Sequence, residues 1–298
     1  MGARRPRQDV GPGVTSERMT SAAGVGGPSL VDVVRGALAE DLGDRGDVTS
    51  NALIPADLHA DAKLVSRAAG VFAGQAVADE VARQCGIAVM WHAEDGSLLE
   101  RGTVIAELSG PARSVLAGER TVLNMVGHLS GVATLTRAFV DVCGTCAVLD
   151  TRKTTPGLRA LEKAAVVAGG GMNHRLGLFD RVLVKDNHLA LAGTGLIDAV
   201  RQVRRGWPEL LVEVEADDMV GVRLALAAGA DWILLDNMTA QQMRDAVGEI
   251  AGRAHTEGSG RMTIERAASA AASGVDAISV GALTHSAPTL DIGLDIDL

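Results

Sequence analysis

The chain has 298 residues, 47% of them apolar, which is enough to bury a core and at this length suggests about two domains. Its formal charge of -9, from 28 basic and 37 acidic residues, excludes the global basic footprint of a nucleic-acid binder. No apolar run reaches the roughly 18 residues of a membrane span, so the chain reads as soluble. Three cysteines are too few for a disulfide framework, and Cys143-Gly-Thr-Cys146 lacks the second pair or the His of a zinc site; a reducing, cytoplasmic setting fits. Residues 1–28 are rich in Gly, Ser, Pro and Arg without periodicity and are expected to be a disordered tail, with Met19 an alternative start.

From Pro28 the apolar positions Leu30, Val31, Val34 and Leu38 fall on one helical face, and Gly43 ends the run. Asp61 to Phe72 alternates like a strand. A small-residue helix follows over about 75–86, then strands near Ile87–His92 and Thr103–Leu108. The turn between those strands, Asp95-Gly-Ser97, has no Lys of the kind a biotin or lipoyl carrier needs. A long helix is expected from Ser114 to Val142.

After Cys143 strand-like and helical runs alternate. Six strands are expected at Ala147–Leu149, Val182–Val184, Leu210–Val214, Trp232–Leu235, Arg253–Thr256 and Val275–Val280. Helices are expected at Leu196–Arg204, Met219–Ala228, Ala240–Ile250 and Ile264–Ala272. Repeated β-α units mean a parallel sheet or barrel, and six strands fall short of the eight of a regular barrel.

Active sites of parallel α/β folds form at the carboxyl ends of the strands. These strands run into Asp150-Thr-Arg-Lys153, Lys185-Asp-Asn-His188, Glu213-Val-Glu215, Asp236-Asn237, Glu257-Gly-Ser-Gly260 and Gly281, with His285 beyond. Of Glu213 and Glu215, one is expected to point away from the rim. Between Asp150 and His188 seven basic and four acidic side chains leave a net +3 in an otherwise acidic chain, which points to an anionic small molecule. Gly258-Ser-Gly260 before a helix and Val280-Gly-Ala282 after the last strand suit a phosphate cradle, where glycine lets the backbone approach closely.

At these residues the chain resembles quinolinate phosphoribosyltransferase. The resemblance is carried by Glu40-Asp-Leu-Gly43 with Gly46-Asp-Val-Thr49, Gly118-Glu-Arg-Thr-Val-Leu-Asn124, Gly127-His-Leu-Ser-Gly131, Asp150-Thr-Arg-Lys-Thr-Thr-Pro-Gly-Leu-Arg159 and Gly169-Gly-Gly-Met-Asn-His-Arg175. It continues through Lys185-Asp-Asn-His188, Glu213-Val-Glu215, Leu234-Leu-Asp-Asn237, Gly281-Ala-Leu-Thr-His285 and Leu290-Asp-Ile-Gly-Leu294. It implies an α/β fold with an N-terminal α/β sandwich domain (29–127, joined by 286–298) and an irregular, incomplete α/β barrel (128–285). It also implies a homodimer or dimer-based hexamer in which the sandwich domain of one subunit covers the barrel mouth of the other.

The activity implied is transfer of phosphoribosyl from 5-phosphoribosyl-1-diphosphate to quinolinate, with release of diphosphate and carbon dioxide. By the same resemblance Arg120 (from the partner subunit), Thr151, Arg152, His174 and Arg175 bind quinolinate. Lys153 and Lys185 lie between the substrates, and Glu215 and Asp236 hold the ribose directly or through Mg²⁺. Ser259, Gly260, Gly281 and Ala282 cradle phosphate, with His285 at the rim. His128 and His188 are expected to be structural. The chain departs from the family at Ala164, where an aromatic residue is usual, at Arg261, where a second Gly is usual, and at Ala216, where Val is common. Three other readings compete: a same-fold paralogue of the kind encoded beside molybdate transporters, a barrel aldolase using Lys185 as a Schiff-base amine, and a non-catalytic phosphosugar-binding protein.

Overall fold

A computed structural model describes residues 27–296, which form two compact units. The tail expected over residues 1–28 lies, up to residue 26, outside the described residues.

The first unit takes residues 27–137, 154–170 and 286–296. It opens with α1 (Leu30–Leu42), whose first turn is capped by the Ser29 hydroxyl accepting from the Asp32 N–H, and which stops at Gly43 with φ 50°. A short α2 (Val48–Leu53) is capped by Asp47. Then come β1 (His59–Ser66), β2 (Gly70–Val71), α3 (Gln75–Cys85), β3 (Ala88–Trp91), β4 (Leu98–Leu99), β5 (Val104–Pro111) and the long α4 (Ala112–Cys143). The single strand expected over Asp61–Phe72 is split in two, because the Ser66 hydroxyl donates to the Ala68 carbonyl at 2.6 Å and turns the chain out of the ladder. The 127/128 boundary expected from the sequence falls within unbroken α4, and the units divide at Arg137.

The unit's sheet is antiparallel in the order β12-β1-β5-β3, with β12 (Ile292–Ile296) laid on β1 so that Leu294 faces Leu64. Two glycines one helical turn apart explain how the returning chain reaches that edge. A Cβ at Gly131 of α4 would overlap the Pro288 carbonyl oxygen, and one at Gly127 would crowd Thr289. With both side chains absent, the Leu290 N–H donates to the Gly127 carbonyl at 3.0 Å.

The second unit takes residues 138–153 and 171–285. In chain order its elements are β6 (Ala147–Leu149), β7 (Val182–Val184), β8 (Val212–Ala216), β9 (Trp232–Asp236), β10 (His255–Ser259) and β11 (Ala277–Ser279). Helix α5 (Arg159–Ala168), between β6 and β7, belongs to the first unit. Helices α6 (Asp186–Ala192), α7 (Leu196–Gly206), α8 (Met219–Ala228), α9 (Ala240–Ile250), α10 (Ile264–Ala271) and α11 (Ala282–His285) follow the strands. Three β-to-α turns carry side-chain caps, Asp218, Thr239 and Thr263 on α8, α9 and α10, and Gly229 with φ 76° ends α8.

All strand pairs are parallel, in the order β6-β11-β10-β9-β8-β7. The outer strands β6 and β7 do not pair, and a lone parallel bridge from Met172 to Leu149 stands beside β6. The result is the six-stranded, incomplete barrel expected. Three strands, β8, β9 and β10, run further toward the carboxyl end than the apolar pattern suggested. The ladder continues through Ser259 opposite Asp236, and through Glu215 opposite Leu234, so polar residues are built into the sheet.

Successive inward positions lie in layers. The lowest holds Leu149, Trp232 and Ala277, which form a buried cluster. Arg181 places its guanidinium 4.7 Å from the Trp232 ring centre, and His255 stacks on that ring at 4.7 Å.

Candidate active site

Above this layer a cavity of about 640 Å³ opens at the carboxyl ends of the strands. Its lining comes from every strand of the barrel. Thr151, Arg152 and Lys153 follow β6, Lys185 follows β7, Glu215 and Asp236 lie on β8 and β9, Ser259 and Gly260 close β10, and Gly281, Ala282 and His285 follow β11. His174 and Arg175 enter from the segment before β7. Every residue singled out for the site in the sequence therefore lines one cavity except Arg120, which is exposed on α4 in the other unit.

Charge at the rim is predominantly positive. Arg152, Lys153, Arg175, Lys185 and Arg261 line the cavity beside Glu215 and Asp236. Arg175 has its pKa lowered, first by partial burial and then by the like charge of Arg152. Two guanidinium groups whose like charges bear on one another suit a shared anion. Arg152 makes no hydrogen bond or ion pair among the described residues, whereas Arg175 is tethered, its Nη1 donating to the Arg181 carbonyl at 3.2 Å. Lys185 is ion-paired with Glu215. The Lys153 loop is tied to α11 by the Thr284 hydroxyl donating to the Lys153 carbonyl at 2.7 Å.

The glycine-rich corner is sterically specified. Gly260 has φ 99°, and a Cβ there would overlap the side chain of Asn237. Arg261 follows it with φ 42°, a left-handed conformation that a glycine adopts without strain. Asn237, also left-handed at φ 56°, donates through its amide nitrogen to Asp236 at 2.6 Å.

Beneath the rim lies a charged layer that the sequence reading missed. Residues two apart on a strand share a face, so Glu213 points into the barrel as Glu215 does, one layer deeper; the expectation that one of them points away is corrected. Glu213 and Glu257 are both fully buried. His174 Nε2–H donates to Glu213 at 3.0 Å and lies 3.3 Å from Glu257, and Arg181 Nε is 3.4 Å from Glu213. Burial and the adjacent Glu257 push the Glu213 carboxyl up. Burial alone would raise Glu257, but the adjacent His174 ring, the Ser279 hydroxyl and Arg181 together hold that carboxyl below the usual carboxylate range. Burial opposes charge on His174 as well, yet the two carboxylates raise its pKa to about 9. At Nδ1 that pull toward a second proton conflicts with geometry, since the Arg175 N–H donates to Nδ1 at 2.7 Å. The amide contact decides the tautomer: the ring carries its proton on Nε2, facing Glu213.

The histidines expected to be structural have protein partners: His128 contacts buried Glu162 at 2.8 Å, and His188 Nδ1 accepts from the Lys185 N–H at 3.0 Å. No disulfide joins Cys143 and Cys146, and burial raises the Cys143 thiol. The group of three or more possible metal ligands found among the described residues is His174, Glu213 and Glu257, not the cysteines.

Family comparisons agree with this geometry. A family model of the quinolinate phosphoribosyl transferase N-terminal domain matches residues 47–130, and one of its C-terminal domain matches residues 132–295. The chain belongs to the quinolinate phosphoribosyltransferase family. It is 48% identical over 274 residues to a nicotinate-nucleotide pyrophosphorylase (carboxylating) of Mycobacterium leprae, a match covering 89% of this chain and 96% of that protein. A probable enzyme of the same name from Bacillus subtilis is 42% identical, covering 87% and 90% of the two chains. The solved nicotinate-nucleotide pyrophosphorylase of Francisella tularensis superposes with a TM-score of 0.85 at 36% identity, over 90% of this chain and 96% of that one. That of Ehrlichia chaffeensis gives 0.86 at 35% identity, over 91% and 99%. The chain is thus an enzyme, a phosphoribosyltransferase of the quinolinate type. The aldolase, paralogue and non-catalytic readings find no support in these matches.

Proposed function

We propose that the barrel cavity joins quinolinate to 5-phosphoribosyl-1-diphosphate and yields nicotinate mononucleotide, diphosphate and carbon dioxide, a step of pyridine nucleotide synthesis. The observation that carries the reading is the grouping of four cations, Arg152, Lys153, Arg175 and Lys185, around one cavity that Glu215 and Asp236 also line. Both substrates are strongly anionic, and quinolinate presents two carboxylates on adjacent ring carbons. Arg152 and Arg175 suit that dianion, because a guanidinium pairs with a carboxylate through two parallel hydrogen bonds. Thr151 and His174 complete that wall.

The chemistry asks three things of the protein. The ring nitrogen must be aligned with the ribosyl C1, the charge of the departing diphosphate must be neutralised, and the carboxylate beside the ring nitrogen must be held until it leaves. Once the nitrogen is bonded to C1 it is cationic, and it stabilises the electron pair left on the ring when carbon dioxide departs. Lys153 and Lys185 are positioned to meet phosphate oxygens between the two substrates. Ser259, Gly260, Gly281 and Ala282 offer a phosphate cradle, with His285 at its edge. Glu215 and Asp236 face the ribose hydroxyls.

Mg²⁺ fits this donor set. Two carboxylates at adjacent strand ends, without nitrogen or sulfur ligands, match an ion that keeps waters and takes its other oxygens from substrate phosphate. Glu215 and Asp236 would hold it, directly or through water, and it would supply charge neutralisation for the diphosphate.

A homodimer, or a hexamer of dimers, is part of the proposal, with Arg120 reaching the cavity of a partner chain. A cytoplasmic setting goes with it; no helix among the described residues is long and apolar enough to cross a membrane. The test is a product assay with quinolinate and nicotinate in parallel, with and without Mg²⁺. Quinolinate should turn over with release of carbon dioxide. Nicotinate should react poorly, since it lacks the carboxylate that is clamped and lost; equal turnover of nicotinate would sink the proposal.

A further inference from the structure

The charged layer beneath the cavity is unusual for a barrel interior, which is commonly filled with branched aliphatic side chains. Two fully buried carboxylates, Glu213 and Glu257, lie there against one imidazole and one guanidinium. Charges so buried are costly unless they are mutually compensated, and breaking such a set is more damaging than never having built it. The expense is explained if the layer fixes something the reaction needs.

What it fixes can be traced bond by bond. Glu213 accepts from His174 Nε2–H, while His174 Nδ1 accepts the Arg175 backbone N–H. The His174 N–H itself donates to buried Asp150 at 3.0 Å. Seven residues from His174, Arg181 lays its guanidinium between Glu213 and the Trp232 ring, and its carbonyl accepts from Arg175 Nη1. Between these anchors Asp180 accepts the N–H groups of Leu176 and Gly177, at 2.7 and 3.0 Å. Both ends of the loop carrying Arg175 therefore rest on the same buried carboxylate, His174 through a hydrogen bond and Arg181 through an ion pair, and Arg175 is held by its amide and by its guanidinium.

We infer that Glu213 and Glu257 are positioning residues that act through His174 and Arg181 to set the pose of Arg175. The inference rests on the proposed reaction, in which Arg175 clamps quinolinate. It goes beyond that reading by assigning work to two buried carboxylates that the proposed reaction leaves unused. A metal ion is the rival occupant, because the nearest ligand atoms of His174, Glu213 and Glu257 lie within 4.8 Å of one another. Arg181 already supplies the counter-charge at Glu213, and a divalent cation beside that guanidinium would be repelled.

The experiment is a steady-state comparison of the full chain with Glu213→Gln and Glu257→Gln, both close to isosteric. A loosened Arg175 should raise KM for quinolinate at least about tenfold while KM for 5-phosphoribosyl-1-diphosphate and kcat stay within about threefold. In an Arg175→Lys background, adding Glu213→Gln should change KM for quinolinate by less than about twofold, because the residue acts through Arg175. Loss of kcat with both KM values unchanged would mean a smaller folded fraction and overturn the inference. So would an additive double variant, or stoichiometric bound metal whose chelation abolishes quinolinate binding. The wild-type assay decides the reaction itself, and the split between the two KM values decides the brace. Should neither variant fold, ¹⁵N-histidine NMR of the wild type still decides: His174 should remain the Nε2–H tautomer on saturation with quinolinate, and a switch of tautomer on binding would mean that the hydrogen bonds of the brace do not persist in the complex and would overturn the inference.

Discussion

Lys185 and Glu215 meet as an ion pair at the ends of two neighbouring parallel strands, so in the free enzyme a cation suited to phosphate is held by a carboxylate suited to ribose. Their side chains are 40% and 19% exposed, which leaves the pair little weight in stability. On the proposed reading its role is poise: substrate arriving at Lys185 would free the Glu215 oxygens to turn to the sugar. Glu215→Gln should lower kcat/KM by roughly 10- to 100-fold, the usual worth of a charged hydrogen bond, with Tm nearly unchanged. Kinetics and a thermal melt of the same preparation check this; an unaffected kcat/KM would remove Glu215 from the site.

Arg152 differs from Arg175 in being untethered among the described residues, so its fork is available to substrate. Arg152→Lys keeps the charge and loses the bidentate geometry. A loss of at least about 1.5–3 kcal/mol of transition-state stabilisation is expected. Unchanged kcat/KM for quinolinate would show that Arg152 is not a carboxylate ligand.

Arg261 is a cation on the cavity wall in a backbone conformation that favours glycine. Arg261→Gly should therefore separate two effects. Relief of the left-handed strain, about 1 kcal/mol, should raise Tm or leave it level despite the greater freedom of the unfolded chain. Loss of the charge should raise KM for 5-phosphoribosyl-1-diphosphate several-fold, leaving KM for quinolinate near its original value. A variant with lower Tm and unaltered KM values would mean that Arg261 neither strains the loop nor meets phosphate.

The parts of this molecule that were legible in the sequence are those with a short-range cause. Met219–Ala228 and Ala240–Ile250 were readable to the residue because apolar periodicity, a capping side chain and a stop signal coincide. The rim residues were readable because strands that end in ionisable groups converge wherever a parallel sheet closes. Helix α5 was missed: its Glu162 and Lys163 are fully buried, so polar residues stand where an apolar face would have marked the helix. The Glu257 layer was missed for a related reason. Apolar content ends at Thr256, but β10 continues to Ser259 because β9 offers it a ladder, and only tertiary pairing reveals that. His174 was found by motif, while its partners on β8 and β10 are far away in sequence and leave no local signature.

Glu80 offers a test of stability against pH away from the cavity. On α3 it accepts from Arg83 Nε and Nη2 at 2.8 and 2.7 Å and from Gln84 at 2.7 Å. The Arg83 hydrogen bonds, partly opposed by burial, hold its pKa down from 4.5 to about 2. A carboxylate with a depressed folded pKa contributes stability that is present above the unfolded value and lost as pH falls through the folded one. The stability difference between wild type and Glu80→Gln should therefore be constant above about pH 4.5 and shrink progressively toward pH 2. Denaturant midpoints across that window provide the measurement, and curves that stay parallel throughout would rule the contribution out.

Arg120 bears the last prediction, that each active site is built from two chains. It sits exposed on α4, in a different unit from Lys153, Lys185, Glu215 and Asp236, and the family resemblance assigns such an arginine to a quinolinate site across a two-fold interface. Arg120→Ala and Glu215→Ala should each be nearly inactive alone. In a mixed dimer, the barrel of the Arg120→Ala chain keeps its own Glu215 and receives a native Arg120 from its partner, whereas the other site carries both defects. Random exchange makes about half the dimers mixed, each with one of two sites restored, so roughly a quarter of wild-type activity should return. Equimolar unfolding and refolding of the two variants, followed by the product assay, measures this. If native mass spectrometry finds mixed dimers while activity stays at the level of the separate variants, Arg120 acts within its own chain or takes no part in the reaction.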